Sequence, residues 1–273
     1  MGGAAGTLEA GTSAGGLLPD APPSVSGPAL VLEQGAFALA DSSGGNLIGL
    51  DSLPEPARIR SAVCAGAIVL PVTYVTHQAG RPDSARGRAT AATFRYLTGP
   101  LFKVSAGEAP AGATCYVTAD SALVGAAVPV KALDGDACDT SLVLDLAVAN
   151  ERSVASCFRL GAARPHVFVV GVQYVVHDSS ALASVAVVDH GRILLQDFPA
   201  RYRGPDEDIW RADDGGAFTA DGFDVLFLAR LSGVEVLGLL WAGSEGENSY
   251  LLAADSAASF RTIAHTYRYW TGF

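Results

Sequence analysis

The sequence predicts an all-β protein, a β-sandwich or jelly-roll-like barrel that follows an N-terminal arm. Short apolar segments rich in Val, Leu, Phe and Tyr recur at the spacing that is typical of sandwiches and barrels. Residues 223–243 form an apolar run divided by Ser232-Gly233, a pair that suits a tight hairpin turn. Apolar residues make up 49% of the 273 residues, which is enough to bury a large core.

The run 223–243 is as long as a membrane span, but it contains charged residues. Asp224, Arg230 and Glu235 would each cost about 2.5–3.5 kcal/mol at the centre of a bilayer. We therefore expect a central hairpin that is covered on both faces, and no membrane partner. No signal peptide is predicted. We expect a virion or the cytoplasm as the location of a structural subunit, and an extracytoplasmic location if a signal has been removed.

The N-terminal part differs in composition from the rest of the chain. Residues 1–28 are mostly Gly, Ala, Ser, Thr and Pro without periodicity, so we expect a flexible or extended arm before a β domain at 29–273. The first basic residue is Arg58, so nucleic-acid binding through this arm is not expected. The net charge of −10 disfavours a nucleic-acid-binding surface elsewhere.

Strands are predicted from runs of β-branched and aromatic residues. Pro71 places the second strand at a sheet edge or a bulge, residues 99–100 divide the third, and residues 189–191 turn a hairpin. The C-terminal segment is predicted to end in a strand, with a helix capped at Asp255 as the alternative. The predicted strands are 30–39, 67–77, 93–104, 113–119, 124–133, 142–149, 166–177, 185–198, the two halves of 223–243, 250–253 and 265–270.

Two pairs of segments resemble each other. Residues 69–77 match 169–177 at five of nine positions, and 152–159 resemble 261–268. The members of each pair lie about one hundred residues apart and in the same order, as a tandem duplication would place them. The alternative is that strands rich in Ala, Val and Thr resemble each other in any case. The possible repeat units are 58–163 and 164–273.

Four cysteines allow two disulfides or four buried thiols. Cys64, Cys115, Cys138 and Cys157 show no C-x-x-C spacing, which disfavours a zinc or thioredoxin-type site. Three pairings are possible. We expect Cys115–Cys138, because each of these residues borders a turn-rich segment.

No sequence motif indicates catalysis, and one segment indicates a metal. Residues 206–214 hold five carboxylates in nine residues and are followed by Gly215-Gly216. Carboxylate oxygens suit a hard cation, so the segment predicts weak calcium binding. A solvated acidic turn is the alternative. The predicted ligands are Asp206, Asp208, Asp213 and Asp214.

Three classes of function remain open from the sequence. A self-assembling structural protein, such as a capsid shell or coat subunit, comes first, and a secreted or periplasmic β-sandwich binding or adhesion module, which disulfides would favour, comes second. An enzyme of unknown class comes third. We expect a homo-oligomer in which residues 1–28 and the aromatic end 267–273 contribute contacts, and deletion of either should weaken it. The alternative for 267–273 is packing on the chain's own sheet.

Overall fold

The computed structural model describes residues 32, 34–133, 135–202, 204, 218–255 and 258–270. These residues contain fifteen strands and three short α-helices, so the predicted all-β class is confirmed. All strands within the sheets pair antiparallel, and they form a closed six-stranded barrel, a five-stranded sheet and a four-stranded sheet. None of the helices in the described part of the chain has the length and apolar character needed to cross a bilayer.

The barrel comes first in the chain. Its strand order is β1-β2-β5-β4-β3-β6, and its interior holds small and medium apolar side chains such as Ala38, Leu47 and Val72, with Phe102 as the largest. Its elements are β1 (Ala36–Ala40), β2 (Asn46–Gly49), a 3-10 helix (Pro56–Arg58), β3 (Ser61–Cys64), a 3-10 helix (Ala65–Ala67), β4 (Ile68–Gln78), α1 (Pro82–Ala85), a 3-10 helix (Phe94–Tyr96), β5 (Gly99–Val104) and β6 (Thr114–Thr118).

Strand β4 lies between β5 and β3, so Pro71 does not mark a sheet edge. The bulge alternative does not hold at Pro71 either, because the register shift in β4 falls between Tyr74 and Thr76. Pro71 stands opposite Ser61 at the last pair with β3, and Val72 stands opposite Val104 at the first pair with β5. The proline therefore occupies the point where β4 changes partner. Proline is tolerated there because the hydrogen bonds at this point use other groups: the Val72 N–H donates to the Arg60 carbonyl at 2.8 Å, and the Pro71 carbonyl accepts from the Ser105 N–H at 2.9 Å.

Two further sheets follow the barrel and form a sandwich. The five-stranded sheet has the order β11-β10-β9-β8-β7, and the four-stranded sheet has the order β12-β13-β14-β15. The elements are α2 (Ser121–Ala126), β7 (Lys131–Ala132), α3 (Thr140–Ala149), β8 (Val154–Arg164), β9 (Val167–Tyr174), β10 (Ser180–Asp189), β11 (Arg192–Arg201), a 3-10 helix (Ala220–Gly222), β12 (Phe223–Leu231), β13 (Val234–Ala242), β14 (Gly246–Ala254) and β15 (Phe260–Tyr269).

The predicted hairpin is confirmed as β12 and β13. Ser232 and Gly233 turn it with φ of 49° and 87°, a region that glycine enters without a steric penalty. One face of the hairpin, with Val225, packs against the five-stranded sheet. The other face, with Phe227, packs against the outside of the barrel. The four-stranded sheet is thus a buried middle layer, and this is why its strands are apolar on both faces.

The strand predicted at 142–149 is wrong, because this segment lies within α3. Of the strand predicted at 124–133, only residues 131–132 form a strand, β7, and residues 124–126 are the end of α2. A carboxylate caps each helix: Asp120 Oδ1 accepts from the backbone N–H of Ala122 at 2.8 Å, and Asp139 Oδ1 accepts from that of Leu142 at 2.9 Å. Such caps satisfy N–H groups that the first turn leaves unpaired. A short apolar run does not by itself distinguish a strand from a helix.

The C-terminal strand is confirmed as β15, and the alternative helix is absent from its described residues. Asp255 accepts from the backbone N–H and the hydroxyl of Ser259, so it closes a turn before the strand. The strand predicted over 93–104 is only partly correct. Its first half is a 3-10 helix at Phe94–Tyr96, and its second half is β5.

The resembling segments 69–77 and 169–177 start in different sheets. The first lies in β4 of the barrel, and the second starts in β9 of the five-stranded sheet. The predicted boundary at residues 163 and 164 falls at the end of β8, within that sheet. The tandem duplication and the division at residue 28 stay predictions.

Both disulfides form, but the predicted pairing is wrong. Cys64 bonds to Cys115, and Cys138 bonds to Cys157, with Cα separations of 4.2 and 5.5 Å. The register explains the first pair, because Val63 of β3 stands opposite Tyr116 of β6 and the cysteines are the next residues along. The second bond fastens the segment before α3 to β8.

Candidate interaction surface

Helix α3 is apolar on both of its long faces. Leu142 and Leu146 pack on the outer face of the five-stranded sheet and are 7% and 0% exposed. Leu144 and Val148 project outwards and are 62% and 78% exposed. Residues four positions apart share a helix face, so these two form one apolar patch, which we call the α3 patch. A contiguous apolar patch on a helix that is held in place is a candidate interaction site.

The N-terminus of α3 is held firmly on the sheet. Asp139 accepts hydrogen bonds from the Ser141 hydroxyl at 2.6 Å, the Leu142 N–H at 2.9 Å and the Arg159 guanidinium at 3.0 Å. These bonds, chiefly those from Ser141 and Leu142, hold the pKa of Asp139 below its ordinary value. The Cys138–Cys157 disulfide lies directly before this cap. The start of the helix is therefore tied to β8 by covalent and polar contacts.

The residue after α3 fixes the other end of the helix. Asn150 Nδ2 donates to Asp197 Oδ1 at 3.1 Å and to Ser184 Oγ at 3.4 Å. The Ser184 hydroxyl, which is fully buried, also donates to Asp197 at 2.5 Å. Contacts at both ends hold α3 in one position. A partner that binds the outer patch therefore does not have to immobilise the helix first.

The aromatic C-terminal end was predicted to contribute contacts between copies, but part of it is occupied within the chain. Arg268 is buried and donates to Glu247, and Trp270 Nε1 donates to the Ser244 carbonyl at 3.2 Å. Tyr267 is 36% exposed. Residues 271–273 lie outside the described residues. Arg268 and Trp270 therefore pack on the chain's own sheet, which was the alternative predicted for residues 267–273.

A second cluster forms where three hairpin turns meet at one end of the sandwich. We call it the hairpin end, and it comprises the turns at 165–166, 190–191 and 232–233. Arg230 joins two of these hairpins: it donates to Asp189 at 2.7 Å and to Glu235 at 2.5 Å. The backbone N–H of His190 donates to the His166 carbonyl at 3.2 Å and joins the third.

The two carboxylates around Arg230 have pKa values displaced in opposite directions. Hydrogen bonding to His190, followed by the charge of Arg230, lowers the pKa of Asp189. Burial raises the pKa of Glu235, although Arg230 acts in the opposite direction. Opposite displacements of neighbouring carboxylates are also found in catalytic sites. Here a single arginine holds both groups, which is the arrangement of a structural ion pair.

The predicted calcium ligands are not among the residues whose structure is described. Asp206, Asp208, Asp213 and Asp214 all fall in the undescribed segment 205–217, so the calcium site stays a prediction. Within the described ranges, no group of three or more His, Cys, Asp or Glu side chains is placed to hold a metal ion.

Sequence reasoning missed both surfaces for identifiable reasons. The α3 patch was hidden because its segment was predicted as a strand, although Asp139 before the apolar run was a detectable helix signal. The hairpin end joins residues from three separate turns, and no local pattern connects them. No protein-family model, curated protein or solved structure matches the chain, so relatives add no information about either surface.

Proposed function

We propose that this chain is a structural subunit that associates with copies of itself, as a shell or coat protein does. The observation that carries the proposal is the exposed apolar patch of Leu144 and Val148 on a helix that is fixed at both ends. A closed two-fold contact places the same patch on both copies. Burying these two side chains in such a contact would remove apolar surface from water on both sides.

Charge also favours a second copy as the occupant of the α3 patch. Each chain carries a net charge of −10, so two copies repel each other over most of their surfaces. Self-association is least costly where the facing patches are uncharged. Helix α3 has one charged residue in ten, Asp145. A partner selected by charge would instead require a charged patch.

The proposal is tested by the mass of the protein in solution. The wild-type chain is expected to exceed the 27.9 kDa of one copy in size-exclusion chromatography with light scattering. The double variant Leu144→Glu/Val148→Glu should shift the mass towards one copy, because apposed patches would then carry like charges. Ile68→Glu/Val75→Glu, which charges exposed positions on the barrel, is the matched control. A wild-type monomer at tens of micromolar would contradict the proposal.

A secreted or periplasmic binding module is the second candidate function. It is favoured by the disulfides Cys64–Cys115 and Cys138–Cys157, because such bonds persist in oxidising compartments. Protein produced in the cytosol and in an oxidising compartment should then differ in stability and in the number of free thiols. If the protein from the cytosol has four free thiols and the same melting temperature, the disulfides do not support this candidate.

A further inference from the structure

The last residues of the five-stranded sheet at the hairpin end are charged on the side that faces the four-stranded sheet. Residues directly opposite each other on antiparallel strands share a face. Val167 of β9 packs in the core between the two sheets, and it stands opposite Arg164 of β8 and Asp189 of β10. Asp189 also stands opposite Arg192 of β11. All four side chains therefore lie on the inner face of the sandwich.

A β-bulge brings Arg164 to this inner face. In the pairing of β8 with β9 the register shifts between Ala162 and Arg164, so Ala163 is an extra residue on β8. Without the bulge, Ala163 would stand opposite Val167, and Arg164 would point to the outer face because successive side chains alternate along a strand. Bulges redirect side chains in this way at the ends of sheets.

The four-stranded sheet contributes two further charges to the same end of the core. Arg230 of β12 stands opposite Glu235 of β13. Each lies two positions from a leucine that packs in the core between the sheets, Leu228 and Leu237 respectively, so both side chains face inwards. We call the inward-facing charged residues of the two sheets the end cluster: Arg164, Asp189, Arg192, Arg230 and Glu235.

Within the end cluster, Arg164 is the cation that no carboxylate balances. Arg230 donates to Asp189 at 2.7 Å and to Glu235 at 2.5 Å. Arg192 stands opposite Asp189 and supplies a second positive charge, so these two arginines offset the two carboxylates. Arg164 forms no ion pair with any residue that the structure describes. Its guanidinium donors are therefore left for an anion from outside the chain.

A cavity of about 370 Å³ lies against the end cluster. Arg164 and Arg230 line it, and Val167 and Leu228, which are 8% and 4% exposed, belong to its apolar part. Sites for small molecules typically have volumes of about 300–1,000 Å³ and combine apolar walls with a few polar groups. The cavity therefore offers apolar contact and one unpaired guanidinium within the volume of a small ligand.

We propose that this cavity binds a small monocarboxylate with an apolar chain. The carboxylate pairs with the Arg164 guanidinium, whose planar fork matches two carboxylate oxygens. The chain lies against Val167 and Leu228, where it is removed from water. A single unbalanced positive charge suits a monoanion, whereas inorganic phosphate carries more charge and has no apolar part. The inference goes beyond the proposed function, because the site is complete in a single copy.

The first test compares four probes on the wild-type full chain by isothermal titration calorimetry. Hexanoate should bind, and its affinity should fall in high salt. Hexan-1-ol, which lacks the charge, and acetate, which lacks the chain, should each bind at least about tenfold more weakly. Inorganic phosphate should also bind more weakly than hexanoate. The ligand class is wrong if hexanoate does not bind, or if hexan-1-ol or phosphate binds as tightly.

The second test locates the site. Arg164→Gln should weaken hexanoate binding at least about tenfold, and Arg164→Lys, which keeps the charge without the fork, should weaken it less. Both variants should melt as the wild type does, because Arg164 is exposed. Arg81→Gln, at an exposed position on the barrel, is the matched control and should bind hexanoate normally. Equal affinities of the wild type and Arg164→Gln would overturn the proposal.

The same titrations separate this inference from the proposed function. Leu144→Glu/Val148→Glu should bind hexanoate as the wild type does, whatever its mass in solution. A wild-type monomer that binds hexanoate would support the cavity site and contradict self-association. An assembly of the wild-type chain that does not bind hexanoate would overturn the cavity site and leave the proposed function standing.

Discussion

Arg268 on β15 donates from Nε to Glu247 Oε1 on β14 at 3.0 Å, and the two residues are 8% and 5% exposed. The same carboxylate oxygen accepts from the hydroxyl of Thr114, on barrel strand β6, at 2.6 Å. Glu247 therefore ties the barrel to the middle sheet with a buried, charged hydrogen-bond network. A network of this kind is stable only while each of its members has a partner.

Removing Arg268 should therefore cost more than removing the pair. We expect Arg268→Leu to lower the free energy of unfolding by about 3–5 kcal/mol, because Glu247 would remain buried without its cation. Glu247→Leu/Arg268→Leu should cost less than the sum of the two single changes, since no charge is left unpaired. Urea unfolding of the four members of this double-mutant cycle measures the difference. Additive losses would show that the two side chains do not interact.

Deleting the aromatic C-terminal end is expected to affect folding as well as assembly. A chain that stops after residue 266 lacks Arg268 and leaves Glu247 in the same unpaired state. Its melting temperature should fall, even at concentrations where the protein is monomeric. A chain that stops after residue 270 keeps the pair and should melt as the full chain does. Equal melting temperatures for the two truncations would contradict this expectation.

The two disulfides should stabilise the fold to similar extents and affect assembly differently. They close loops of 51 and 19 residues, which in the chain-entropy model correspond to about 4 and about 3 kcal/mol. Cys138→Ser/Cys157→Ser should also weaken self-association, because that bond fastens the start of α3. Cys64→Ser/Cys115→Ser should lower the stability of the fold, but it should leave self-association unchanged at temperatures below the melting temperature. Thermal unfolding and light scattering on both variants check the two parts.

The contribution of Asp189 to stability should depend on pH. Its pKa lies below the ordinary value of 3.8 in the folded chain, so its ionised form stabilises the fold above that pH. This contribution is lost as the pH falls through the lowered folded pKa. Asp189→Asn should cost about 1–3 kcal/mol near neutral pH, and the difference from wild type should shrink in acid. Asp83→Asn, at an exposed position on the barrel, is the control. A difference that is constant with pH would contradict the assignment.

The parts of the fold that were predictable from the sequence depend on residues close together in the chain. The turn at Ser232-Gly233 and the strand β9 follow from local patterns of apolar and turn residues, because a short turn and alternating side chains are properties of a few consecutive positions. The capping residue Asp139 is a local signal of the same kind. It contradicted the strand prediction for the segment that follows it, and the helix that forms there is α3.

Only the tertiary structure decided which distant residues meet. The pairing of Cys64 with Cys115 follows from the register of β3 and β6. This register between two distant segments cannot be read from the sequence. The Arg268–Glu247 pair and the hairpin end likewise arise where separate strands converge. Burial then sets their energetics, because a charge that is weakly paired in water becomes costly to leave alone inside the protein. The sequence by itself determined an acidic all-β chain, and its packing determined where the apolar α3 patch and the hairpin end are presented.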